Sequence, residues 1–513
     1  MTSRHAPSTT SPAAPDDLRG KHVYCIGIGG CGMSGLARMF RSRGVVISGS
    51  DMHPTGVTDA LEAHGVEVRF EQASGILPDH VDIVVASAAI KPDHPEMLTA
   101  TERGIPTLTY AEALGLCMST STGVAVAGTH GKSTTVGMLG HVLTHAGLDP
   151  SVIVGAQCAQ LAAPGEPPTG CRIGAESVPT GPLAGAPGFL LAEACEFNRS
   201  FHHLQPQVAA ITSVEADHLD IYGSLDAVVG AFADFARLLP DASKGGRLLI
   251  AHDGAHRREV TAGVRASVET VGFAPGADWH VTYDTAARRV GLNHKGRHVA
   301  NWVMRLPGEH MAIDSAFAAA LAITLGADPA PVAEALTAFT GVDRRMQILG
   351  EVALSSDPEA PAVRVYDDYG HHPTEIDATL RALREFERPE ERNGRLICVF
   401  QPHQHSRTRF LLDEFAAAFS HADVVIVPHI YFVRDSEAEK TRVSAADLVD
   451  RLRDRSVRAM HLYPFEAIVE QLQNLCRPGD LLVVMGAGPV WEVARDFMQA
   501  HRSDAQRERA TTP

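Results

Sequence analysis

Residues 123–135 read GVAVAGTHGKSTT: an apolar, strand-like run, then a glycine-rich turn, then the start of a helical stretch. A phosphate-binding loop needs this order, because backbone N–H groups and the positive end of the helix both point at the anion. Lys132 would reach the β- and γ-phosphates of a nucleotide, and the Ser133 hydroxyl would bind Mg²⁺. Val126 stands where the usual motif has its first glycine, so the alternative is a strand–helix turn without a ligand.

A second glycine-rich turn, GIGGCG at residues 27–32, lies near the start of the chain and fits the G-x-G-x-x-G pattern. Asp51 follows at the distance where an acidic residue binds a ribose hydroxyl. The pattern predicts a diphosphate at the helix N-terminus and a ribose held by Asp51. NAD and a UDP-linked substrate both satisfy this geometry, and a close-packed turn without a ligand is the third possibility.

Strand-like and helical runs alternate along the whole chain, which is typical of parallel α/β domains. We predict three such units, at residues 18–118, 119–340 and 341–500, the last with a doubly wound pattern. Residues 281–305 alternate like a small antiparallel piece, and residues 162–188, crowded with Pro and Gly, are predicted to be an inserted loop. Flexible tails are expected at residues 1–17 and 501–513.

The composition excludes several classes of function. With 513 residues and a net charge of −16, the chain is a poor non-specific ligand for nucleic acid or anionic membrane. It contains no apolar run of about 18 residues, so no membrane insertion is expected, and residues 1–17 do not resemble a secretory signal. The eight cysteines form no C-x-x-C pair, which fits a reducing cytoplasm.

Acidic residues follow two further strand-like runs of the second unit. Glu193 and Glu196 come after residues 189–192, and Glu215, Asp217 and His218 come after residues 208–212. The carboxyl ends of parallel strands are where open α/β sheets place their sites. Carboxylate oxygens suit Mg²⁺, whereas solvated loop acids are the alternative interpretation.

Histidines and arginines are concentrated in two segments of the third unit, DDYGHHP at residues 367–373 and QPHQHSRTR at residues 401–409. Spaced imidazoles suggest a metal site, but no H-x-x-x-H pair falls on a helix. The arginines favour recognition of a carboxylate. Structural hydrogen bonds by the histidines are the alternative.

These segments, in this order, resemble the Mur ligases of peptidoglycan synthesis. The resemblance runs from about residue 22 to 495 and rests on nine segments, at residues 26–37, 128–135, 193–206, 211–220, 308–320, 344–347, 367–376, 401–409 and 479–491. Residues 28–35 (IGGCGMSG) are most similar to the alanine-adding branch of the family.

The resemblance implies three domains: a Rossmann-like N-terminal domain for a UDP substrate, a central P-loop-type ATPase domain and a Rossmann-like C-terminal domain. It implies that ATP and Mg²⁺ are used to join the carboxylate of UDP-N-acetylmuramate to L-alanine through an acyl phosphate. Phosphorylation makes the carboxylate an electrophile, and Lys132 and metal ions would stabilise the tetrahedral oxyanion. The expected partners are these small molecules, and the expected assembly is a monomer or homodimer.

The expected site residues fall into four groups. The catalytic residues are Lys132, Glu193 and His218, and the metal ligands are Ser133, Glu193 and His218. The ATP contacts are Gly128, Thr129, His130, Gly131, Lys132, Ser133, Thr134, His310, Asp314, Arg345 and Asp368. The UDP-substrate contacts are Gly29, Gly30, Gly32, Ser34, Asp51 and Ser87, and the amino-acid side of the cleft carries Tyr369, His371 and Arg407.

The chain departs from the family pattern at several positions. Cys195 replaces an acid, Ser213 replaces an asparagine, and Asp314 ends a segment that usually reads H-N-x-x-N. An Arg-Tyr pair is replaced by Gln404-His405, which removes a cation expected near the carboxylate of the incoming amino acid.

Three alternatives to an alanine-adding ligase are compatible with the sequence. An oxidoreductase would use the first glycine turn but leave residues 128–135 without a role. A non-catalytic nucleotide-binding relative would be compatible with the departures. A ligase that recycles murein peptides would keep the same chemistry with a different amine. In every ligase interpretation the substrates come from different domains, so domain closure is expected.

Overall fold

The computed structural model describes residues 18–357 and 359–501. The predicted tail at residues 1–17, and that at 501–513 beyond His501, lie outside the described residues. The structure is a three-sheet α/β fold, and each sheet is mainly parallel with helices on both faces. Among the described helices, none has the length and apolar content needed to span a bilayer.

The first sheet has five parallel strands in the order β3-β2-β1-β4-β5. Its central strand is buried along Val23–Ile26, as expected for a parallel strand covered on both faces. The elements are β1 (His22–Ile26), α1 (Cys31–Ser42), β2 (Val46–Ser50), α2 (Gly56–Ala63), β3 (Glu67–Arg69), β4 (Ile83–Ala86), α3 (Pro95–Glu102), β5 (Thr107–Thr109) and α4 (Tyr110–Ser119).

The second sheet has ten strands in the order β15-β14-β13-β12-β11-β10-β6-β9-β7-β8. The elements are β6 (Thr122–Ala127), α5 (Lys132–His145), β7 (Ser151–Cys158), β8 (Thr169–Arg172), β9 (Phe189–Glu193), β10 (Val208–Ile211), α6 (Leu219–Tyr222), α7 (Leu225–Ala236), β11 (Arg247–Ala251), α8 (Arg257–Thr261), β12 (Ser267–Gly272), β13 (Trp279–Asp284), β14 (Arg289–His294), β15 (Arg297–Val303), α9 (Glu309–Thr324) and α10 (Pro329–Ala338).

Antiparallel strands lie at both ends of this sheet. The predicted antiparallel piece is confirmed, because β13, β14 and β15 pair in that sense. The prediction of a loop over residues 162–188 is wrong for Thr169–Arg172, which form β8 and pair antiparallel with β7. The Pro and Gly content hid a short edge strand whose Gly170 and Cys171 are buried.

The third sheet has six strands in the order β16-β17-β21-β18-β19-β20, of which only β16 is antiparallel to its neighbour. Residues 405–417 form two short helices that meet at Leu411. The elements are β16 (Gln347–Val352), β17 (Val363–Asp368), α11 (Pro373–Glu387), β18 (Leu396–Phe400), α12 (His405–Phe410), α13 (Leu412–Ala417), β19 (Val424–Val427), α14 (Ala445–Asp454), β20 (Arg458–His461), α15 (Phe465–Leu475), β21 (Leu481–Met485) and α16 (Trp491–Ala500).

Candidate active site

The turn between β6 and α5 has the geometry of a phosphate loop. Gly128 (φ 139°) and Gly131 (φ 80°) both adopt conformations that disfavour other residues. A side chain at Gly131 would overlap the carboxylate of Asp314, which is buried beneath the loop at the start of α9. The Thr129 hydroxyl accepts a hydrogen bond from the backbone N–H of Glu215, at 2.9 Å, and Thr134 is buried in the first turn of α5. These contacts pack against the loop on the side facing the protein interior, and they hold its N–H groups in position.

Lys132 is hydrogen-bonded within the loop and to an acid beside it. Its Nζ donates to the carbonyls of Gly128 (2.5 Å) and Thr129 (3.1 Å) and lies 2.9 Å from Glu196 Oε2. Burial opposes its charge, but Glu196 outweighs that effect and raises the pKa of Lys132 above its usual value. The lysine is therefore a fixed cation at the start of α5.

Two groups of acids lie on the same side of the loop. Ser133 Oγ donates to Glu193 Oε2 at 2.9 Å, and the N–H of Gly155 donates to the same oxygen at 3.0 Å. The second group consists of Glu196, Asp217 and His218, whose ligand atoms all lie within 4.8 Å of one another. The predicted metal set is thus divided: Ser133 and Glu193 are in direct contact, whereas His218 clusters with Glu196 and Asp217, two of the acids that follow the strand-like runs.

His218 presents a neutral imidazole to this cluster. Its backbone is left-handed (φ 52°), and its Nε2 lies 3.5 Å from Asp217 Oδ2. Burial is the largest cause that lowers the pKa of His218, to about 4. Its buried Nδ1 has no hydrogen-bond partner among the residues that the structure describes. A neutral imidazole with a free nitrogen is able to bind a cation.

His130, in the phosphate loop, lies between two carboxylates. Its Nε2 is 3.5 Å from Glu215 Oε2, and its Nδ1 is 3.2 Å from Glu375 Oε1 on α11. Burial lowers the pKa of His130, but the neighbouring carboxylates of Glu215 and Glu375 outweigh burial and raise that pKa to about 10. The imidazole is therefore charged, and it connects the second sheet to the third.

Tyr369, at the end of β17, is stacked between two arginines. The guanidinium carbons of Arg344 and Arg345 lie 5.0 Å and 4.9 Å from the centre of its ring. Arg344 is also paired with Asp367 at 3.2 Å, whereas Arg345 reaches Glu375 only at 3.7 Å. Of the two, Arg345 has the weaker internal pairing and is better able to bind a ligand anion.

Asp368 and His310 lie next to the same segment, but the contacts of Asp368 are with backbone N–H groups and that of His310 is with a buried methionine. Asp368 accepts hydrogen bonds from the N–H groups of Met346 and Gly370, both at 2.7 Å. Burial raises the pKa of Asp368 to about 6. His310 Nε2 lies 3.1 Å from the sulfur of Met346, and burial lowers the pKa of His310 to about 4.

Arg407 joins the third sheet to the acid cluster. Its Nε and Nη2 donate to Asp217 Oδ1 at 2.9 Å and 2.8 Å, and both side chains are almost fully buried. Its Nη1 lies 3.1 Å from His403 Nδ1. The rings of His371 and His403 are 5.6 Å apart, and burial lowers the pKa of His371 to about 3. The two histidines next to Arg407 are therefore neutral.

The first glycine turn is closed by Asp51, at the end of β2. Asp51 Oδ2 accepts a hydrogen bond from the Gly29 N–H at 2.7 Å, so one donor that the sequence assigned to a diphosphate is bonded to this carboxylate. A side chain at Gly32 would lie 2.7 Å from the Tyr110 hydroxyl. Of the other predicted residues, Gly30 caps α1, Ser34 Oγ donates to the Cys31 carbonyl, and Ser87 ends β4 beside Gly27.

A cleft of about 770 Å³ lies where the three sheets meet. The predicted residues that line it are Gly29, Ser133, Glu193, Arg345 and Tyr369. It is also lined by residues that sequence reasoning missed: Gly155, Ala156 and Gln157 on β7, and Trp491, Arg495 and Met498 on α16. Trp491 ends one of the nine segments on which the resemblance rests, and this was the signal in the sequence for the second group.

Three family models match the chain. "Mur ligase family, catalytic domain" matches residues 22–122, "Mur ligase middle domain" residues 126–322, and "Mur ligase, glutamate ligase domain" residues 344–488. The UDP-N-acetylmuramate–L-alanine ligase of Agathobacter rectalis is 35% identical, covering 93% of this chain and 98% of that protein. The enzyme of the same name from Acidothermus cellulolyticus is 38% identical, covering 95% of this chain and 96% of that protein.

Solved structures share the fold. The UDP-N-acetylmuramate–alanine ligase of Thermotoga maritima superposes with a TM-score of 0.73 at 24% identity, covering 96% of this chain and all of that chain. A murein peptide ligase of Psychrobacter arcticus superposes with a TM-score of 0.67 at 22% identity, covering 94% of this chain and 98% of that chain.

Proposed function

The chain belongs to the Mur ligase family, and from that membership we propose that it joins the carboxylate of UDP-N-acetylmuramate to the amine of L-alanine at the expense of ATP. It is an ATP-dependent amide ligase of peptidoglycan precursor synthesis. An oxidoreductase is not supported, since the curated relatives over nearly the whole chain are ligases.

One observation carries the proposal: a single cleft is lined by Gly29 of the first glycine turn, Ser133 of the phosphate loop and Tyr369 of the third sheet. A UDP-linked carboxylate bound at the first glycine turn and a nucleoside triphosphate bound at the phosphate loop would both reach this cleft. Direct transfer of a phosphoryl group needs this proximity, because holding the reactants together removes a large entropic barrier.

The phosphate loop would hold the triphosphate and stabilise the charge that moves during transfer. Backbone N–H groups at the start of α5 and the cation of Lys132 would lie where that charge develops. A carboxylate oxygen takes the γ-phosphoryl group, and ADP leaves. The amine then forms a bond to the acyl carbon, phosphate leaves with the C–O electron pair, and the proton of the amine passes to solvent.

The two acid groups fit Mg²⁺, which we propose is held by Ser133 and Glu193 at one group and by His218 at the other. The fit rests on the Ser133–Glu193 contact of 2.9 Å and on the buried, neutral His218 with its unpartnered Nδ1. Glu196 and Asp217 add oxygens next to His218. When bound, the ion would neutralise phosphate charge during the transfer.

The remaining predicted residues are proposed to bind the substrates at the edges of the cleft. His310, Asp314 and Asp368 would shape the nucleotide site, and Asp51 the uridine-linked end. Tyr369, His371 and Arg407 would face the amino acid. We also propose a cytoplasmic location, with which eight unpaired cysteines agree, and a monomer or homodimer, which light scattering would distinguish.

The test is phosphate release from the purified full-length chain with Mg²⁺, ATP and UDP-N-acetylmuramate. Release should require all substrates and should be supported by L-alanine, with the amide product identified by mass. A preference for L-Ala-γ-D-Glu-meso-diaminopimelate over L-alanine would instead indicate a murein-recycling ligase. No release with any of the common amino acids would indicate a non-catalytic relative and overturn the proposal.

A further inference from the structure

Arg434 lies in the loop between β19 and α14 and is stacked beside the His218 pocket. Its guanidinium carbon is 4.4 Å from the centre of the Phe197 ring, and that ring meets the His218 ring edge-on at 5.2 Å. Phe197 follows Glu196 in the second domain, whereas Arg434 belongs to the third. The Arg434 side chain therefore contacts a residue next to the acid cluster across the boundary between these domains. Stacking on an aromatic face leaves the N–H edge of a guanidinium available.

The backbone that carries Arg434 is held rigidly. Arg434 has a left-handed backbone (φ 62°), and the next residue, Asp435, is bonded to the start of α12. The buried Asp435 carboxylate accepts hydrogen bonds from the His405 N–H (2.5 Å) and the Ser406 hydroxyl (2.6 Å). A turn fixed in this way positions the guanidinium before any ligand arrives.

The neighbouring cations already form ion pairs with acids of the protein. Arg407 is paired with buried Asp217, and Lys132 with Glu196. Within residues 18–357 and 359–501, no hydrogen bond or ion pair is made by the Arg434 side chain, whose contact is the Phe197 ring. Gln404, close to the same loop, is buried and uncharged. Arg434 is thus an exposed cation, stacked on Phe197, that has no anionic partner among the described residues.

We propose that Arg434 binds the α-carboxylate of the incoming amino acid and thereby selects a free α-amino acid over other amines. The inference rests on the proposed function. In an α-amino acid the amine and the carboxylate share one carbon, so a bound carboxylate fixes where the amine attacks. A guanidinium fork suits this task, since it donates two parallel hydrogen bonds to a carboxylate. Arg407 contributes indirectly, by neutralising Asp217, which would otherwise repel the substrate.

The experiment compares Arg434→Gln with Arg434→Lys and with a matched control, Arg442→Gln. Arg442 is an exposed arginine of the same loop whose guanidinium is paired with Glu439. Steady-state phosphate release gives kcat and separate KM values for L-alanine, ATP and UDP-N-acetylmuramate. L-alaninamide, which lacks the carboxylate, serves as the second amine.

In Arg434→Gln the KM for L-alanine should rise by about 10- to 100-fold, since a charge-assisted pair is lost. The KM values for ATP and UDP-N-acetylmuramate should stay within about twofold. The KM of Arg434→Lys for L-alanine should lie between the values for the wild type and Arg434→Gln, because lysine keeps the charge but lacks the guanidinium fork. The wild-type preference for L-alanine over L-alaninamide should largely disappear in Arg434→Gln, an effect that a merely structural role would not produce.

The inference is overturned if Arg434→Gln keeps the wild-type KM for L-alanine, or if its preference over L-alaninamide is unchanged. An equal rise in all three KM values would also overturn it, because that pattern indicates a general disturbance of the loop. Failure of the proposed function looks different: the wild-type chain itself would then release no phosphate with L-alanine.

Discussion

The Nδ1 atom of His130 lies 3.2 Å from Glu375 Oε1, and this contact joins the phosphate loop of the second sheet to helix α11 of the third. Glu215 lies on the other side of the same imidazole, at 3.5 Å, and also accepts a hydrogen bond from Thr374 of α11 at 2.6 Å. His130 and Glu215, which lie in or beside the phosphate loop, therefore also bind helix α11 of the third domain. We therefore expect nucleotide binding to be coupled to the position of that domain through them.

The first prediction concerns the stability that this imidazole provides. His130 has a pKa raised from 6.5 to about 10, so its contribution is fully present below pH 6.5 and is lost as the pH rises through about 10. The Tm of His130→Gln should be well below that of the wild type at pH 6.5, and the gap should narrow steadily toward pH 10. Calorimetry across this range measures it. A gap of constant size would show that the imidazole is not charged in the folded chain.

The second prediction separates the two roles of Lys132. Lys132→Ala should lower kcat by about 10²- to 10³-fold or more, because a cation at the transferred phosphoryl group is lost. It should also lower the Tm, since Glu196 is left buried without a counter-charge, which typically costs about 3–5 kcal/mol.

The double variant Lys132→Ala/Glu196→Gln is the control for this prediction. It should recover most of the Tm without recovering the activity, since it removes the buried charge but not the catalytic defect. Near-normal turnover in either variant would refute the assignment of the phosphate loop.

A third prediction tests the first glycine turn. Asp51→Ala should weaken the binding of UDP-N-acetylmuramate by about tenfold or more and leave ATP binding unchanged, because the carboxylate positions Gly29 and, in the proposed site, would bind the ribose. Asp51→Asn keeps an oxygen for the Gly29 N–H, so its effect should be smaller. Calorimetric titration with each ligand gives both affinities. Equal affinities of wild type and Asp51→Ala for the UDP-sugar would contradict the assignment.

The fourth prediction concerns Arg407 and Asp217, a buried ion pair between the third and second sheets. Arg407→Gln alone should destabilise the chain by about 3–5 kcal/mol, because Asp217 remains buried and charged. Arg407→Gln/Asp217→Asn should be more stable than the single variant, since two neutral amides replace a buried charge. A double-mutant cycle on Tm measures the coupling. Additive effects would show that the two side chains act independently.

The local parts of this site were predictable from sequence. The phosphate loop is a run of adjacent residues whose N–H groups converge, so strand, glycine turn and helix can be recognised together at Gly128, Gly131 and Lys132. The first glycine turn was found in the same way, but the bond from Gly29 to Asp51 was not. Whether a carboxylate at that spacing faces a ligand or its own backbone depends on side-chain placement, which the spacing does not specify.

Short elements without a periodic pattern were missed. Strand β8 was taken for a loop because its four residues lie among prolines and glycines, and its pairing with β7 is a long-range contact.

The α/β units and the two glycine turns could be predicted from residues close together in the chain, and the class of chemistry from the order of nine such segments. The packing of the three sheets was needed to show that His130 lies between Glu215 and Glu375, that Asp217 pairs with Arg407, and that Arg434 stacks on Phe197. These contacts join residues of different sheets, and their energy depends on how the sheets are packed. No local pattern of residues carries that information.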